Sequence, residues 1–522
     1  MRRETVSKAV RGTWVLTVAS LFSELLSAIY RIPLQNIVGD RGYFIYQQVY
    51  PIYGIFSVLA LTGLPVVLSK AFAQQTTEAA RNKLLKMTFG ILLAFSVIAT
   101  LILWKASRYL AIFMGDPSLF HEIRTVSLAF LLIPFEASLR GMFQSDLVME
   151  PSAISQVLEQ FLRIVLIIVA AILFGKGWLN IYEMGSLANA GAFVGGIFAV
   201  LVLLFTFFRT QKNFFSSSKG VSVSLEKGLG LEIVLIIFFT GITIFYQFID
   251  SFSMIRLLML NGMGLNQAEI MKGVFDRAQP LIQLGIVISL SFVSTIMPQL
   301  HQKNESDQNK PLIKRMVRVC VILAVAETAG LIALMPDINT MLFTDATGSV
   351  ALAIYMCSIF IVSIINLLVA VTSGDSSKNL SKLLLFIVSL VIKVGLNLLL
   401  VPQLHISGAA ISTVMSELVI LVGILFIYRA SLGFLLLSWG FVFKTVIAGL
   451  LMALTIRVLE KVFLHFIVLT RATSVVINLV LIPIGVVIFV FLVVQWKLLN
   501  KKEWEILPLG KQLTKFIKIE DK

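Results

Sequence analysis

The sequence has few of the residues that metal proteins and most enzymes use. It contains two cysteines and four histidines among 522 residues. Cys320 and Cys357 form no CxxC and no other spacing suited to a metal, so we interpret both as structural. No GxxxxGK[ST] string is present, which argues against a P-loop nucleotide site. We therefore expect no cofactor.

Charged residues are also scarce. They make up 14% of the chain against 58% hydrophobic residues, and the mean hydropathy is +0.94, far outside the range of soluble proteins. Apolar runs of about 20 residues, the length that crosses ~30 Å of hydrocarbon, predict an all-α polytopic membrane protein with about fourteen transmembrane helices. Their starts are expected near residues 11, 44, 85, 119, 152, 184, 230, 268, 314, 350, 379, 408, 436 and 474.

A net charge of +15 is typical of nucleic-acid-binding proteins, but the distribution of the basic residues indicates a membrane protein instead. The basic residues cluster in alternate loops, as the positive-inside bias of membrane proteins predicts. The clusters lie at residues 2–11, 81–86, 209–219, 303–318 and 501–518. This pattern places both termini in the cytoplasm and makes the bilayer, rather than nucleic acid, the partner.

A polar stripe runs along the first hydrophobic segment. Its members are spaced 4, 3, 4, 3 and 4 residues apart, which keeps them on one helical face. They are Thr13, Thr17, Ser20, Glu24, Ser27 and Arg31. Because ionised side chains are costly at membrane depth, Glu24, Ser27 and Arg31 are candidate cavity residues.

A weak internal repeat accompanies the stripe. Thr240, Thr243, Gln247 and Asp250 overlay the helix 1 pattern at an offset of 223 residues, and Pro280 follows Pro51 by 229. Six helices separate the two copies, as in transporters built from parallel repeats. We expect an N-lobe at 1–220, a C-lobe at 221–432, an extra helix pair at 433–497 and a cytoplasmic amphipathic tail at 498–522. The two lobes would be related by a parallel pseudo-twofold axis, with helices 1, 2, 7 and 8 around a central cavity.

Arginines at the predicted cavity point to an anionic ligand. Arg256 ends helix 7, Asp276 and Arg277 begin helix 8, and Arg31 lies on helix 1. Arginine suits phosphate because its planar fork donates two hydrogen bonds at once and stays charged in a poor solvent. For Arg31, snorkelling to the outer interface is the alternative.

Helix 2 presents Tyr46, Tyr50 and Tyr53 on one face. Such a face can stack on sugars and bind hydroxyl groups, or it can be an aromatic packing seam. We interpret the pairs Glu136–Arg140 and Glu159–Arg163, each spaced i, i+4, as structural pairs within one helix. The remaining intramembrane charges are isolated: Lys393 with Asn397, Glu417, Glu327 and Lys444.

Four strings resemble a known family: residues 29–33 (IYRIP), 36–40 (NIVGD), 46–51 (YQQVYP) and 63–70 (GLPVVLSK). The sequence is similar to the polysaccharide exporter branch of the multidrug/oligosaccharidyl-lipid/polysaccharide (MOP) flippase superfamily. Its stage V sporulation protein B-like members are related to MurJ-type lipid II flippases. Helices 7 and 8 carry a weaker likeness at Ile249, Asp250 and Ser251 and at Asp276 and Arg277.

The resemblance implies a flippase in the bacterial cytoplasmic membrane that moves an undecaprenyl-diphosphate-linked saccharide outward by alternating access. Arg31 and Arg277 match the family's helix 1 and helix 8 arginines, which would recognise the diphosphate. This chain has Glu24 where MurJ-type sequences often carry another arginine, which leaves the saccharide open between a cell-wall precursor such as lipid II and an exopolysaccharide repeat unit. Coupling to the membrane potential, to protons or to sodium is open, as are protein partners. The alternatives are a cation-coupled multidrug exporter of the same superfamily and a polytopic membrane enzyme of polysaccharide assembly.

Overall fold

The computed structural model describes residues 2–210, 229–260, 262–287, 306–372, 375–430, 438–466 and 470–507, with single positions at 223, 433, 468, 510 and 512. Within these residues the secondary structure is helical, with no strand, which confirms the predicted all-α class. The predicted basic residues around 212–219 and at 303, and the end of the predicted tail beyond 512, lie outside them.

Twenty α-helices are numbered here in chain order, with α12 taken as the described residues 278–287. The others are α1 Arg2–Ile29, α2 Arg31–Ser57, α3 Leu64–Ala73, α4 Glu78–Phe113, α5 Phe120–Ser127, α6 Ile133–Ser145, α7 Glu150–Gly175, α8 Ile181–Thr210, α9 Leu229–Thr240, α10 Ile242–Met259, α11 Leu265–Asp276, α13 Ser306–Ala333, α14 Met335–Phe343, α15 Ser349–Val371, α16 Asn379–Leu404, α17 Ile406–Ile427, α18 Trp439–Phe466, α19 Arg471–Gln495 and α20 Lys501–Trp504.

Among the described residues, twelve helical stretches are long and apolar enough to cross a membrane. One of them, Val15–Ala73, has 59 residues, about twice the length that a single crossing needs. The helical signal is therefore confirmed, whereas the count of fourteen and the repeat stay predictions.

The long first stretch is divided at Gly39. Tyr30 joins α1 to α2 with helical dihedral angles, so the polar stripe continues without interruption to Arg31. Gly39 then adopts φ +70° and ψ 178°, in the left-handed half of conformational space that glycine enters at the lowest cost. The chain reverses there, and the second part of α2 carries the tyrosines that surround Arg31.

Helix α11 packs closely on α2 next to Gly39, and this contact requires a second glycine, Gly273. A Cβ atom on Gly273 of α11 would lie 2.1 Å from the carbonyl oxygen of Asp40, which no side chain can occupy. The backbone of α11 therefore rests directly on α2 just after its reversal.

The packing divides the chain into two compact units. Unit 1 comprises Met1–Asp276 and Ser376–Pro402, and unit 2 comprises Arg277–Asp375 and Gln403–Lys522. This division differs from the expected lobes, because α9 to α11 and most of α16 pack with the N-terminal helices and the boundary falls at 276 rather than 220. The lobes at 1–220, 221–432 and 433–497 stay predictions, and each unit is described by itself below.

The beginning of the predicted tail packs on protein. Leu498, Leu499 and Trp504 are buried, and the Glu503 carboxylate lies 3.2 Å from the Arg318 guanidinium of α13. The cytoplasmic amphipathic tail at 498–522 stays a prediction, and its first apolar side chains are covered within unit 2.

Candidate functional site

Two buried arginines lie among tyrosines in unit 1. We call this group the arginine–tyrosine cage. It consists of Arg31, Arg163, Tyr30, Tyr46, Tyr50 and Tyr53. Each arginine is 2% exposed, so neither charge has bulk water around it.

Arg31 stands at the start of α2, where the helix 1 stripe reaches the cage. Its guanidinium lies 4.5 Å from the ring centre of Tyr50 and 6.0 Å from that of Tyr30. Its Nε atom has no hydrogen-bond partner among the described residues. None of the described carboxylates lies within ion-pair distance of the Arg31 side chain. The guanidinium is stabilised by aromatic faces rather than by an acid.

Arg163 reaches the same tyrosines from α7. Its Nη2 atom donates to the hydroxyl oxygens of Tyr46 at 2.8 Å and Tyr30 at 3.3 Å, and its guanidinium lies 3.7 Å from the ring centre of Tyr53. Gln160 accepts from Nη1 at 3.4 Å and donates to the Tyr53 hydroxyl at 3.1 Å. In the described part of the chain, these partners are all neutral.

Within the described part of the chain Arg163 has no acidic ion-pair partner, because Glu159 pairs with Arg140. The Arg140 guanidinium lies 2.8 Å from Glu136 and 3.0 Å from Glu159, so one arginine takes both carboxylates. The predicted pair Glu136–Arg140 is thus present, whereas the described contacts do not include the predicted pair Glu159–Arg163. The i, i+4 spacing permits that pair, but the tyrosine cluster holds Arg163 on its other side.

The acid nearest to Arg31 on α11 is already neutralised. Both carboxylate oxygens of Asp276 accept hydrogen bonds from the Lys272 ammonium, at 2.6 and 2.7 Å. The Tyr43 hydroxyl donates to the Asp276 backbone carbonyl at 3.4 Å. Asp276 therefore lies next to the cage, but its charge is neutralised by Lys272 on the same helix.

A second neutral pair joins α10 to α16. Asp250 and Lys393 are both buried and lie 2.7 Å apart, and Asn397 donates to Asp250 at 2.8 Å and to the Ser253 hydroxyl at 2.9 Å. The sequence did not indicate that Asp250 and Lys393 form a pair, because they are 143 positions apart and only folding brings them together. The arrangement is a buried ion pair with its hydrogen bonds supplied locally.

Arg277, in unit 2, has a different environment. Its guanidinium is fully buried and binds Asp345 bidentately at 2.9 and 3.0 Å, with Asn339 accepting at 3.1 Å. Asp345 lies in the loop after α14, where partial burial raises its pKa but hydrogen bonds from Arg277 and Thr347 lower it more, to about 2. The charge of Arg277 is thus met in this state.

The other predicted site residues occupy less central positions in unit 1. Arg256 is exposed, and its Nη2 atom donates to the Ile112 carbonyl at 2.8 Å. Glu24 and Gln247 are half-buried, and Ser27 is buried on α1. Their roles in binding stay predictions.

Sequence reasoning missed Arg163 and Tyr30. The i, i+4 acid before Arg163 suggested internal neutralisation, and nothing in the sequence shows that Arg140 takes two carboxylates. Tyr30 is the residue before Arg31, so its place beside the stripe was a usable signal.

The described helices and their apolar lengths define a multi-pass membrane protein. The chain belongs to the family described as polysaccharide biosynthesis protein, whose model matches residues 9–304. Within the wider classification it is a MOP-superfamily member related to MurJ, as its sequence resemblance indicated.

Relatives support this placement over nearly the whole chain. It is 31% identical over 516 residues to the "uncharacterized membrane protein YabM" of Bacillus subtilis, with 97% of this chain and 96% of that protein covered. It is 25% identical over 495 residues to the lipid II flippase MurJ of the same organism, covering 88% and 90%. The solved structure of lipid II flippase MurJ in an inward closed conformation shares its fold, with a TM-score of 0.64, 12% identity and coverage of 92% of this chain and 98% of that one.

Proposed function

We propose that the protein is a flippase for an undecaprenyl-diphosphate-linked saccharide, which it moves from the inner to the outer leaflet by alternating access. The observation that carries this proposal is the arginine–tyrosine cage: two buried guanidiniums, Arg31 and Arg163, without a carboxylate partner among the described residues of unit 1.

Electrostatics favours an anion as the ligand of the cage. A buried charge without a partner costs several kcal/mol, and a diphosphate offers at least two negative charges to two guanidiniums. Each guanidinium can donate a bidentate pair of hydrogen bonds to phosphate oxygens. Binding a diphosphate would therefore offset a desolvation cost that the free protein already bears.

The tyrosines add recognition of the sugar. Their rings can stack on saccharide faces. A hydroxyl group such as that of Tyr46 can give up its hydrogen bond with Arg163 and form one with the ligand instead. The predicted headgroup contact at Arg277 requires that its pair with Asp345 opens first, so we assign the diphosphate to the cage and not to Arg277 in the state described here. The saccharide is a cell-wall precursor such as lipid II or an exopolysaccharide repeat unit; the MurJ relative favours the former.

The membrane potential gives the movement its direction. With both termini in the cytoplasm, outward movement of an anion gains about 2.3 kcal/mol per charge per 100 mV of inside-negative potential. A diphosphate headgroup thus needs no ATP for net outward transport.

The proposal is tested by flipping of a fluorescent lipid-linked oligosaccharide in liposomes. We expect Arg31→Gln and Arg163→Gln to reduce flipping at least about tenfold, since a hydrogen bond to a charged group contributes about 1.5–3 kcal/mol. Arg209→Gln is the matched control, because that arginine is exposed in the last turn of α8 and is not a candidate site residue, and it should retain activity. Full flipping in both cage variants would overturn the proposed site, and drug efflux without lipid flipping would favour a multidrug exporter.

A further inference from the structure

Beside the cage lies a second charged group, the Glu136–Arg140–Glu159 cluster. Its three side chains are at most 2% exposed. Arg140 also donates to the Ser155 hydroxyl at 3.2 Å and to the Ala60 carbonyl at 3.1 Å. Ala60 lies in the π-helical turn Val58–Gly63, so the cluster contacts the continuation of the helix that carries the cage tyrosines.

The cluster has more negative charge than its own arginine can balance. Two carboxylates face one guanidinium, and one oxygen of each, Glu136 Oε1 and Glu159 Oε1, has no hydrogen-bond partner in the described structure. An unmet carboxylate oxygen in a buried site is costly. Each of these oxygens is therefore a position where a proton would be stabilising.

Helix α8 packs closely on both glutamates. A Cβ atom on Gly196 would lie 3.0 Å from Glu136 Oε1, and one on Gly195 would lie 2.5 Å from the Glu159 backbone carbonyl oxygen. The α8 backbone thus presses against both glutamates. A metal ion with its own ligands does not fit this packing.

Arg163 supplies the missing positive charge when the cage is empty. It lies one helical turn after Glu159 and interacts with it electrostatically. Among the described residues, the charged and titratable groups that interact electrostatically with the two carboxylates are Arg140, Arg163 and, from α2, Tyr53. With Arg163 counted, two positive charges balance two negative ones.

We propose that the Glu136–Arg140–Glu159 cluster takes up one proton when an anion binds in the arginine–tyrosine cage. The anion would use the charge of Arg163, so the cluster would keep two carboxylates against Arg140 alone. A proton from water then forms an O–H bond on one of the two glutamate carboxylates and restores neutrality. This inference rests on the proposed function, since it requires that the cage binds an anion.

Linkage fixes the direction of the pH effect. If anion binding takes up a proton, a higher proton concentration must strengthen anion binding by the same coupling. Affinity for the anion is therefore expected to fall as the pH rises.

The test is calorimetric binding of farnesyl diphosphate to the purified full-length protein, in two buffers that differ in ionisation enthalpy. The difference in observed enthalpy gives the protons taken up per anion bound. We expect uptake approaching one proton in the wild type. Glu136→Gln and Glu159→Gln should keep binding within a few-fold and lose most of the uptake, because one carboxylate against Arg140 needs no proton.

Glu122→Gln is the matched control, because Glu122 is a buried carboxylate of unit 1 outside the cluster, and its uptake should equal that of the wild type. Normal binding with equal enthalpies in both buffers would overturn this inference and leave the proposed function intact. Undiminished uptake in both cluster variants would overturn it as well. No binding by the folded wild type would count against the anion site itself.

Discussion

Unit 1 and unit 2 each bury arginine, but they treat its charge differently. In unit 2, Arg277 binds Asp345 bidentately and also donates to Asn339. In unit 1, Arg31 and Arg163 meet tyrosine rings, hydroxyl groups and an amide. The charge of Arg277 is thus neutralised within the protein, whereas the charges of Arg31 and Arg163 are available to a ligand.

Burial alone therefore does not identify a binding arginine. Arg140 and Arg277 are as buried as Arg31, yet each has carboxylate partners. What distinguishes the cage is that the nearby acids form their ion pairs with other residues: Glu159 with Arg140 and Asp276 with Lys272. Among the described residues, neither acid lies within ion-pair distance of a cage arginine.

The largest expected effect comes from giving the cage an acid. Gln160→Glu places a carboxylate beside Arg163, where the wild-type amide oxygen accepts at 3.4 Å. This turns Arg163 into a paired arginine of the Arg277 type, so we expect flipping of a labelled lipid-linked oligosaccharide to fall at least about tenfold. Gln156→Glu, one turn earlier beside Ser20, is the control and should have a much smaller effect per folded molecule. Equal losses in the two variants would show that charge pairing at Arg163 is not the cause.

A large effect on stability is expected from breaking the Asp250–Lys393 pair. Lys393→Met leaves the Asp250 carboxylate buried without its cation, at a cost of about 3–5 kcal/mol. The double variant with Asp250→Leu should recover much of this loss, because no buried charge is then left alone. Thermal unfolding in detergent of the two single variants and the double variant measures the coupling; additive losses would contradict the pairing.

A smaller effect is expected for Asp345→Asn. It leaves the buried Arg277 guanidinium without its anion, at a cost of about 1–3 kcal/mol, while flipping per folded molecule should not fall. Because the pKa of Asp345 is lowered to about 2, the pair's contribution to stability is present above the unfolded pKa of about 3.9 and is lost as the pH falls from about 4 through about 2. Unfolding of wild type and variant across that range checks the sign; a wild-type stability that rises on acidification, relative to the variant, would contradict it.

The smallest expected effect is at the chain reversal before the cage tyrosines. Gly39→Ala has space for its Cβ atom but must adopt φ +70° with ψ 178°, a region almost restricted to glycine, at a cost of about 1–3 kcal/mol. We expect a modest loss of thermal stability and unchanged anion affinity. Gly90→Ala is the control, because Gly90 is exposed in α4 with helical geometry and its Cβ also meets open space. Equal stability of the two variants would show that the backbone at Gly39 is not constrained.

The sequence predicted the helices well because each one depends on local hydrophobic length. Arg31 stood out in the sequence because the stripe has helical periodicity and no acid at pairing distance, and its role in binding stays a prediction. The role of Arg163 depends on which acid Arg140 binds, and that partner comes from a different helix. Likewise, Arg277 looked like a free cation because Asp345 lies 68 positions away and only packing brings the two together.

Equilibrium binding of farnesyl diphosphate by wild type, Arg31→Gln, Arg163→Gln and Arg277→Gln tests the central claim most directly. We expect each of the two cage variants to weaken binding at least about tenfold, and Arg277→Gln to stay within a few-fold of the wild type. Weakening by Arg277→Gln as large as that by the cage variants, or unchanged binding in Arg31→Gln and Arg163→Gln, would contradict the assignment of the anion site to the arginine–tyrosine cage.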